Sequence, residues 1–540
     1  MKRLLALVLS AVLLLSGCIK SPEAAPTRAL LVDGVVYLDT GKQVPVTVVP
    51  SAILGTIASS TDDPEELPTQ DRQSNFGCVG EEYAYLSNTF QEEGIIVSID
   101  GEWSFFAAQL AEGETYTPPA RSAVSLSQAV YPEFPALPQY SEAEGYDAYS
   151  QAMDAYDAAV SQLRGNGIST QTARALTEFA ARSTPLALAG QEGENAIYSP
   201  LSLWSALALL AQSAGGNNRD QVLAALDIGS VDALQSQFSQ VWRGLYTDNG
   251  VQSLLLGNSV WLNSAAEGGY VQGTLDILAR HYYASVYSVP MGNFTADAAV
   301  TDWICQQTNG LIGSEEPIIQ TQKDTLALLV SSLYYKDGWL DKFPYSKTTP
   351  DTFTAADGTV STADFMHQTT TGSFFAQDGY QAASLYTDLG RMLFLLPDEG
   401  IAPEQLLQNS NLFSELICNQ EKGRYGQIQW SVPKFDVSGE LDLKFVLEQL
   451  GLRDLLDPER ADLSGLTFLP AYLSGAKQLA RVRVDEDGVE GAAVTILATT
   501  PTAGMPGELP TFVMDLDRPF LFIITTEDVP LFIGIVNQLS

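Results

Sequence analysis

The sequence predicts an α+β fold built on a large central β-sheet, preceded by a small all-β domain. Three observations carry this. From about residue 141 to the end, helical periodicities alternate with strand-like runs. Two of those runs, SLLLGNSVWLN (253–263) and TLALLVSSLYYKDGW (325–339), are long and apolar without strict alternation, as expected of central strands covered on both faces. Residues 28–112 instead carry period-2 runs broken by turn signals.

Taken in order, Met1, Lys2 and Arg3 supply a positive start, and residues 4–15 form an apolar run too short to span a membrane. The run ends Leu-Ser-Gly-Cys at 15–18, which resembles the bacterial lipobox. That resemblance implies a signal peptide over 1–17 and lipidation of Cys18, which would hold the protein at the outer face of the cell membrane. An ordinary signal peptide with an incidental cysteine is the other reading. Residues 18–27 form a tether. In 28–112, LLVDGVVYLDTG turns at Asp33-Gly34 and GIIVSIDGEWSFFAAQ at Asp100-Gly101, both hairpin signals. VPVTVV, SAILGTIA and a polar turn-rich stretch lie between them. This module carries no recognisable chemistry; spacer, adhesion and partner-binding roles all stay open. Residues 113–140, with Pro118, Pro119, Pro132, Pro135 and Pro138, have the composition of a linker, which leaves 141–540 as the main domain. Helical spacing starts near Ser141 and resumes at Ser169, and Tyr146, Tyr149 and Tyr156 read as packing residues.

Composition narrows the chemistry. The hydrophobic fraction is 45% and charged residues 17%, which suits a sizeable core. Sixty-five acidic against 28 basic residues give a net charge of −37, which repels phosphate backbones and disfavours nucleic acid as a partner. The two histidines, His281 and His367, sit in no catalytic motif, and no HExxH, CxxC, GxSxG, Walker or GxGxxG pattern appears. The reading is therefore no enzyme, no metal and no cofactor. Beyond Cys18, the three cysteines Cys78, Cys305 and Cys418 allow at most one disulfide and read as buried free thiols.

Residues from about 165 to 540 resemble serpins. NAIYSPLS (195–202), WICQQTNGLI (303–312), YYKDGWLDKF (334–343), WSVPKF (430–435) followed by LDLKFVLEQLGL, ADLSGL (461–466) and the closing RPFLFIITTEDVPLFIGIV stand in the family's order. Ser199 reads as an N-cap with Pro200 at the first helical position. The resemblance implies a serpin fold with about eight or nine helices and an exposed reactive-centre loop. It also implies a sheet-opening region at Ser199, Ser202, Ser331, Gln478 and Trp339. Ser331 and Gln478 stand where the family usually has Asn and His; both still donate and accept hydrogen bonds.

The family's inhibitors act as traps: a protease cuts the loop, which then enters the main sheet as a new strand and drags the acyl-enzyme along. A loop that enters a packed sheet needs a period of 2, no proline, and small or uncharged residues on its inward face. Glu486, Gly488, Val489, Glu490, Gly491, Ala492, Ala493 and Thr495 meet this as the hinge. If Val489 points inward, so do Gly491, Ala493 and Thr495, while Glu490 faces solvent; Gly488 supplies backbone freedom. Counting from Glu486 puts the reactive bond at Thr502-Ala503; counting back from Arg518 gives Glu508-Leu509, and Met505 is a third candidate. Thr502 suits a shallow apolar pocket, and no Lys or Arg lies between Asp487 and Asp517, so elastase-like or subtilisin-like targets are expected and trypsin-like ones are not. The expectation is a monomeric suicide inhibitor of extracellular serine proteases. The alternative is a non-inhibitory serpin acting as a surface binding or adhesion protein.

Overall fold

The computed structural model describes residues 27–32, 34–44, 53–61, 63–64, 66–84, 94–99, 101–109, 124–129, 131–140, 145–266, 268–292, 294–312, 319–419, 422–489 and 509–539. The chain divides into two compact units, Met1–Ala120 and Arg121–Ser540.

The first unit is one eight-stranded sheet. Its strands are β1 (Ala29–Val32), β2 (Val35–Gln43), β3 (Ile53–Thr56), β4 (Ser59–Ser60), β5 (Gln73–Ser74), β6 (Glu82–Ala84), β7 (Gly94–Ile99) and β8 (Glu102–Gln109), in the order β3-β6-β7-β8-β2-β1-β5-β4. Gly34 and Gly101 turn the two hairpins at φ +81° and +83°, a region costly to any side chain. Leu30, Val32, Tyr37, Ile95, Val97 and Phe106 form the core, and β7 is buried along its whole length.

The second unit begins with β9 (Val124–Ser127), α1 (Gly145–Arg164), α2 (Thr170–Ala187), β10 (Ala196–Tyr198), α3 (Pro200–Ser213), α4 (Gly216–Ala225) and α5 (Val231–Leu245). Next come β11 (Thr247–Asp248), β12 (Ser253–Asn263), α6 (Gln272–His281), β13 (Ala284–Val289), α7 (Phe294–Gln307) and β14 (Ala327–Gly338). Then follow β15 (Thr348–Thr354), β16 (Val360–Gln377), β17 (Tyr380–Tyr386), β18 (Arg391–Pro397), α8 (Pro403–Leu406), β19 (Arg424–Pro433) and β20 (Phe435–Asp442). The unit closes with α9 (Lys444–Gln449), β21 (Lys477–Val484), β22 (Gly488–Val489), β23 (Thr511–Asp515), β24 (Phe520–Thr526) and β25 (Val529–Val536).

Two sheets carry it. The main sheet runs β20-β21-β22-β14-β12-β13-β9, with β11 beside β12; the second runs β10-β25-β24-β18-β17-β16-β19-β23, with β15 on β16. In β12, Val260 and Leu262 enter the large core shared with α2, α3 and α5, while Trp261 packs beneath α7 on Val300, Trp303 and Ile304. In β14, Leu333 and Tyr335 face the first core and Val330 the second. Both faces of the sheet are covered, which is why these strands need no polar alternation.

The stretch read as a linker is structured over its second half. β9 pairs antiparallel with β13, Tyr131 stacks on Trp242 at 5.3 Å, and the Leu137 N–H donates to the Asn249 carbonyl at 3.0 Å. Proline content marked this segment as a linker; it did not reveal that the chain pairs with an edge strand and stacks its aromatics on the body. The second unit accordingly begins at Arg121, ahead of residue 141. Helix α1 buries no residue; Tyr146 is exposed, Tyr149 meets Tyr140 edge-on, and the Tyr156 hydroxyl accepts from Asn249. Among the described residues the three later cysteines form no disulfide, but Cys78 and Cys305 are only half-buried and Cys418 is exposed.

Candidate functional site: a two-residue strand wedged into the main sheet

Among the described residues no ladder joins β14 to β21 directly; β22 stands between them at one end. Val489 pairs with Asp337 of β14 and with Val484 of β21, and Gly488 pairs with Gly338. Val489 is 1% exposed and packs into the large core. Gly488 has a use other than backbone freedom. A Cβ there would lie 2.1 Å from the Asp337 carbonyl oxygen, so only glycine lets the two strands approach.

The turn into β22 is held on both sides. The Asp485 side chain accepts the N–H groups of Asp487 (2.9 Å) and Gly488 (3.3 Å), closing the turn on itself. Trp339, buried at the end of β14, donates its indole N–H to the Asp485 carbonyl (2.9 Å) and its backbone N–H to the Asp487 carbonyl (3.0 Å). Glu486 is buried and paired with Lys434 at 2.9 Å, and it accepts from the Thr348 hydroxyl at 2.8 Å. Burial alone would push its carboxyl up; the Lys434 ammonium, its own backbone N–H and the Thr348 hydroxyl outweigh that and hold it below the usual range. Burial acts on Asp487 in the same sense, and the Tyr345 hydroxyl and the Lys342 ammonium, 3.0 Å away, again prevail. Glu486 and Asp487 thus stay ionised because two lysines, a tyrosine and a threonine face them.

Asp337 is the exception. It is 1% exposed and faces no cation among the described residues; its side chain accepts from the Leu389 N–H (2.7 Å), the Tyr335 hydroxyl (3.0 Å) and the Gly338 N–H (3.0 Å). Burial pushes its carboxyl up to about 6 despite those donors.

Further down the sheet, Ser199 caps α3, its hydroxyl accepting from the Ser202 N–H (3.2 Å) and donating to the Leu531 carbonyl (2.8 Å). Gln478 on β21 binds the Ser199 backbone twice, accepting its N–H at 2.7 Å and donating to its carbonyl at 2.8 Å. Ser331 lies on β14 opposite Asn258 of β12. From Asp337 back to Ser331 and from Val484 back to Gln478 are both six residues, so Ser331 and Gln478 stand level across the sheet.

Comparison with known proteins settles which architecture this is. A family model described as "Serpin (serine protease inhibitor)" matches residues 174–539. The chain belongs to the serpin family. Among its relatives, Serpin-ZXA of Oryza sativa subsp. japonica is 31% identical over 392 residues, covering 69% of this chain and 97% of that one. Alpha-1-antitrypsin 1-3 of Mus musculus is 29% identical over 359 residues, covering 63% and 82%. Among solved structures, the thermophilic serpin tengpin in its native state aligns at TM-score 0.61 and 23% identity over 69% of this chain and 96% of that one. Arabidopsis AtSerpin1 in its native stressed conformation aligns at TM-score 0.59 and 25% identity over 68% and 99%. Human thyroxine-binding globulin in complex with thyroxine aligns at 0.60 and 22% over 68% and 98%.

In this serpin, Ser199, Ser202 and Gln478 form one hydrogen-bonded group; at the end of β14, Trp339 binds the 485–487 turn that carries Glu486, and Gly488 and Val489 pair with β14 itself. Ser331 shares the level of Gln478 but no hydrogen bond joins them; the glutamine is satisfied by Ser199 instead. Glu490, Gly491, Ala492, Ala493, Thr495, Thr502, Ala503, Met505, Glu508 and Cys18 lie outside the described residues, and Leu509 is half-buried just before β23. Sequence reasoning missed Lys342, Lys434, Tyr345, Thr348 and Asp337. The run Asp485-Glu486-Asp487 was itself a signal, since adjacent carboxylates that become buried require cations or donors.

Proposed function

We propose that this serpin is a suicide inhibitor of extracellular serine proteases of elastase-like or subtilisin-like specificity, acting as a monomer held at the membrane through lipidated Cys18. The protease serine attacks the Thr502 carbonyl carbon and the 502–503 amide breaks. The Ala503 amine leaves with a proton, and an ester joins Thr502 to the enzyme. The freed loop then extends β22 between β14 and β21, and the protease travels with it before water can cleave the ester.

The observation that supports this reading is β22 itself. Val489 already pairs with both neighbours, and each step along the loop advances one residue back along β14 and β21. Gly491, Ala493 and Thr495 then follow Val489 on the buried face, all small and uncharged. Position 495 comes level with Ser331 and Gln478, so a threonine hydroxyl meets a serine hydroxyl and an amide at the point where the sheet parts. New backbone pairing on both sides of the loop supplies the driving force.

The test mixes the protein with elastase-like, subtilisin-like, chymotrypsin-like and trypsin-like enzymes and runs denaturing gels. A band at the summed mass, resistant to boiling in SDS, is expected with the first two. A Thr502→Arg variant should transfer the band to trypsin-like enzymes. Cleavage with no such band and full protease activity would instead identify a non-inhibitory serpin, and the function would move to the β1–β8 unit as a binding module.

A further inference from the structure

A chain of polar side chains runs from α1 to the hinge. Its first part is the turn between β11 and β12, where Asn249 and Gln252 are each 4% exposed. They close the turn on itself. The Asn249 side-chain oxygen accepts the N–H groups of Val251 (3.0 Å) and Gln252 (2.8 Å), and its amide donates to the Gln252 side-chain oxygen (2.5 Å). The chain that precedes α2 grips this turn from outside. The Leu137 N–H donates to the Asn249 carbonyl, and the Asn249 amide donates to the Tyr156 hydroxyl of α1, both at 3.0 Å. On the other side the Gln252 amide donates to the Asp388 carboxylate at 2.9 Å.

Asp388 stands in the turn between β17 and β18, and that turn holds the end of β14. Leu389 donates its N–H to Asp337, the Thr387 and Tyr335 hydroxyls share a hydrogen bond at 2.8 Å, and the Leu340 N–H donates to the Tyr386 carbonyl at 2.9 Å. Trp339 bridges to Thr387, and Trp339 is the residue that holds the carbonyls of Asp485 and Asp487. Asn249, Gln252, Asp337 and Trp339 are all buried, so a group that loses its partner has no water to replace it, and its neighbours must move with it. We propose that Tyr156, Asn249, Gln252 and Asp388 are positioning residues for the hinge, coupling the docking of residues 131–156 on the body to the geometry of β22. The chain ahead of α2 is then a brace. Helix α1 buries no residue, so it can lift without opening the core. The coupling is reciprocal: whatever loosens the hinge loosens the brace by the same factor. It concerns the uncleaved protein and holds whether or not a protease is inhibited.

Hydrogen exchange on the whole uncleaved protein tests this. It is read at the Asp487 and Gly488 amides, which donate to the Asp485 side chain, and at the Leu137 amide. Tyr156→Phe keeps the ring and removes the hydroxyl. Exchange at 487 and 488 should rise about fivefold, the lower end of couplings between separate sites. Gln252→Ala, in the middle of the chain, should speed exchange at both ends, and adding Tyr156→Phe to it should change 487 and 488 no further. Tyr149→Phe, on the same helix but outside the chain of hydrogen bonds, should change neither end. Faster exchange confined to residues 249–252 in Tyr156→Phe, with 487 and 488 unchanged, would overturn the coupling, and so would fully additive effects of the two substitutions. An equal rise in the buried strand β24 would show general destabilisation and overturn it as well. Tyr156 is only half-buried on α1, so its variant decides the question even if Gln252→Ala does not fold.

Discussion

At the scale of single residues, the hinge is governed by close approach and by burial of charge. Gly488 is constrained by the 2.1 Å its missing Cβ would leave to the Asp337 carbonyl. Gly488→Ala should lower the stability of the intact protein by about 1–3 kcal/mol, the usual range for inserting a methyl group where none fits. A thermal melt of the uncleaved protein measures this. Asp337 adds a pH dependence whose sign is opposite to that of its neighbours. Its carboxyl is pushed up to about 6 in the folded protein, against about 3.9 in an unfolded chain. The folded state therefore holds this proton more tightly. The stabilisation it brings is complete below about pH 4 and lost as pH rises through about 6, on the order of 2–3 kcal/mol in all. Glu486 and Asp487, held below their usual values, lose their contribution as pH falls. The Asp337 share is read from the difference between the protein and Asp337→Asn, which should narrow from pH 7 towards pH 4 in favour of the native aspartate. A difference independent of pH would exclude it.

At the scale of elements, β14 and β21 are separate strands joined only through β22 among the described residues. What holds β21 to the helix layer at this level is Gln478, through two buried hydrogen bonds to the Ser199 backbone. Removing one partner of a buried pair leaves the other desolvated, at about 1–3 kcal/mol for each group. Gln478→Ala, which leaves two such groups unpaired, should therefore destabilise the intact serpin by about 2–6 kcal/mol by the same reckoning, measured by denaturant titration of uncleaved protein. If Ser331 shared the load, Ser331→Ala would cost as much; in this geometry it should cost far less, because no hydrogen bond links it to Gln478. Segment β9 and Tyr131 make the other element-scale point: the outer edge of the main sheet is covered by chain that precedes the helical body, so that edge strand β13 is not left unpaired.

At the scale of the whole molecule, β22 is described over two residues where its neighbours run for eight and twelve. Extending that strand adds backbone hydrogen bonds on both sides and buries small side chains, so cutting the loop should raise the thermal midpoint well above that of the intact protein. Calorimetry before and after limited cleavage near Thr502 checks this. An unchanged midpoint would mean that the loop stays outside the sheet.

Much of this molecule could be read from residue order alone. The alternation of helix and strand patterns, the unbroken apolar runs at 253–263 and 325–339, the Ser199-Pro200 helix start and the turns at Gly34 and Gly101 are local: their physics lies within a few residues, and the structure has them at those places. The serpin family was legible for a related reason, since ordered blocks spread over the whole domain preserve many local constraints at once. Tertiary structure decided what depends on distance through space. Lys434 neutralises Glu486 and Lys342 neutralises Asp487, partners more than fifty and more than a hundred residues away in sequence, and no spacing rule connects them. Gln478 looked like one half of a pair with Ser331, yet a longer amide side chain can satisfy both of its groups on the Ser199 backbone, and in the folded protein it does. Proline content said that 113–140 was a linker; only the fold could supply the free edge of β13 and the face of Trp242 that turn its second half into structure. A sequence carries its own propensities, while burial, and with it the cost of an unpaired charge or hydrogen-bonding group, exists only once the chain has closed around it.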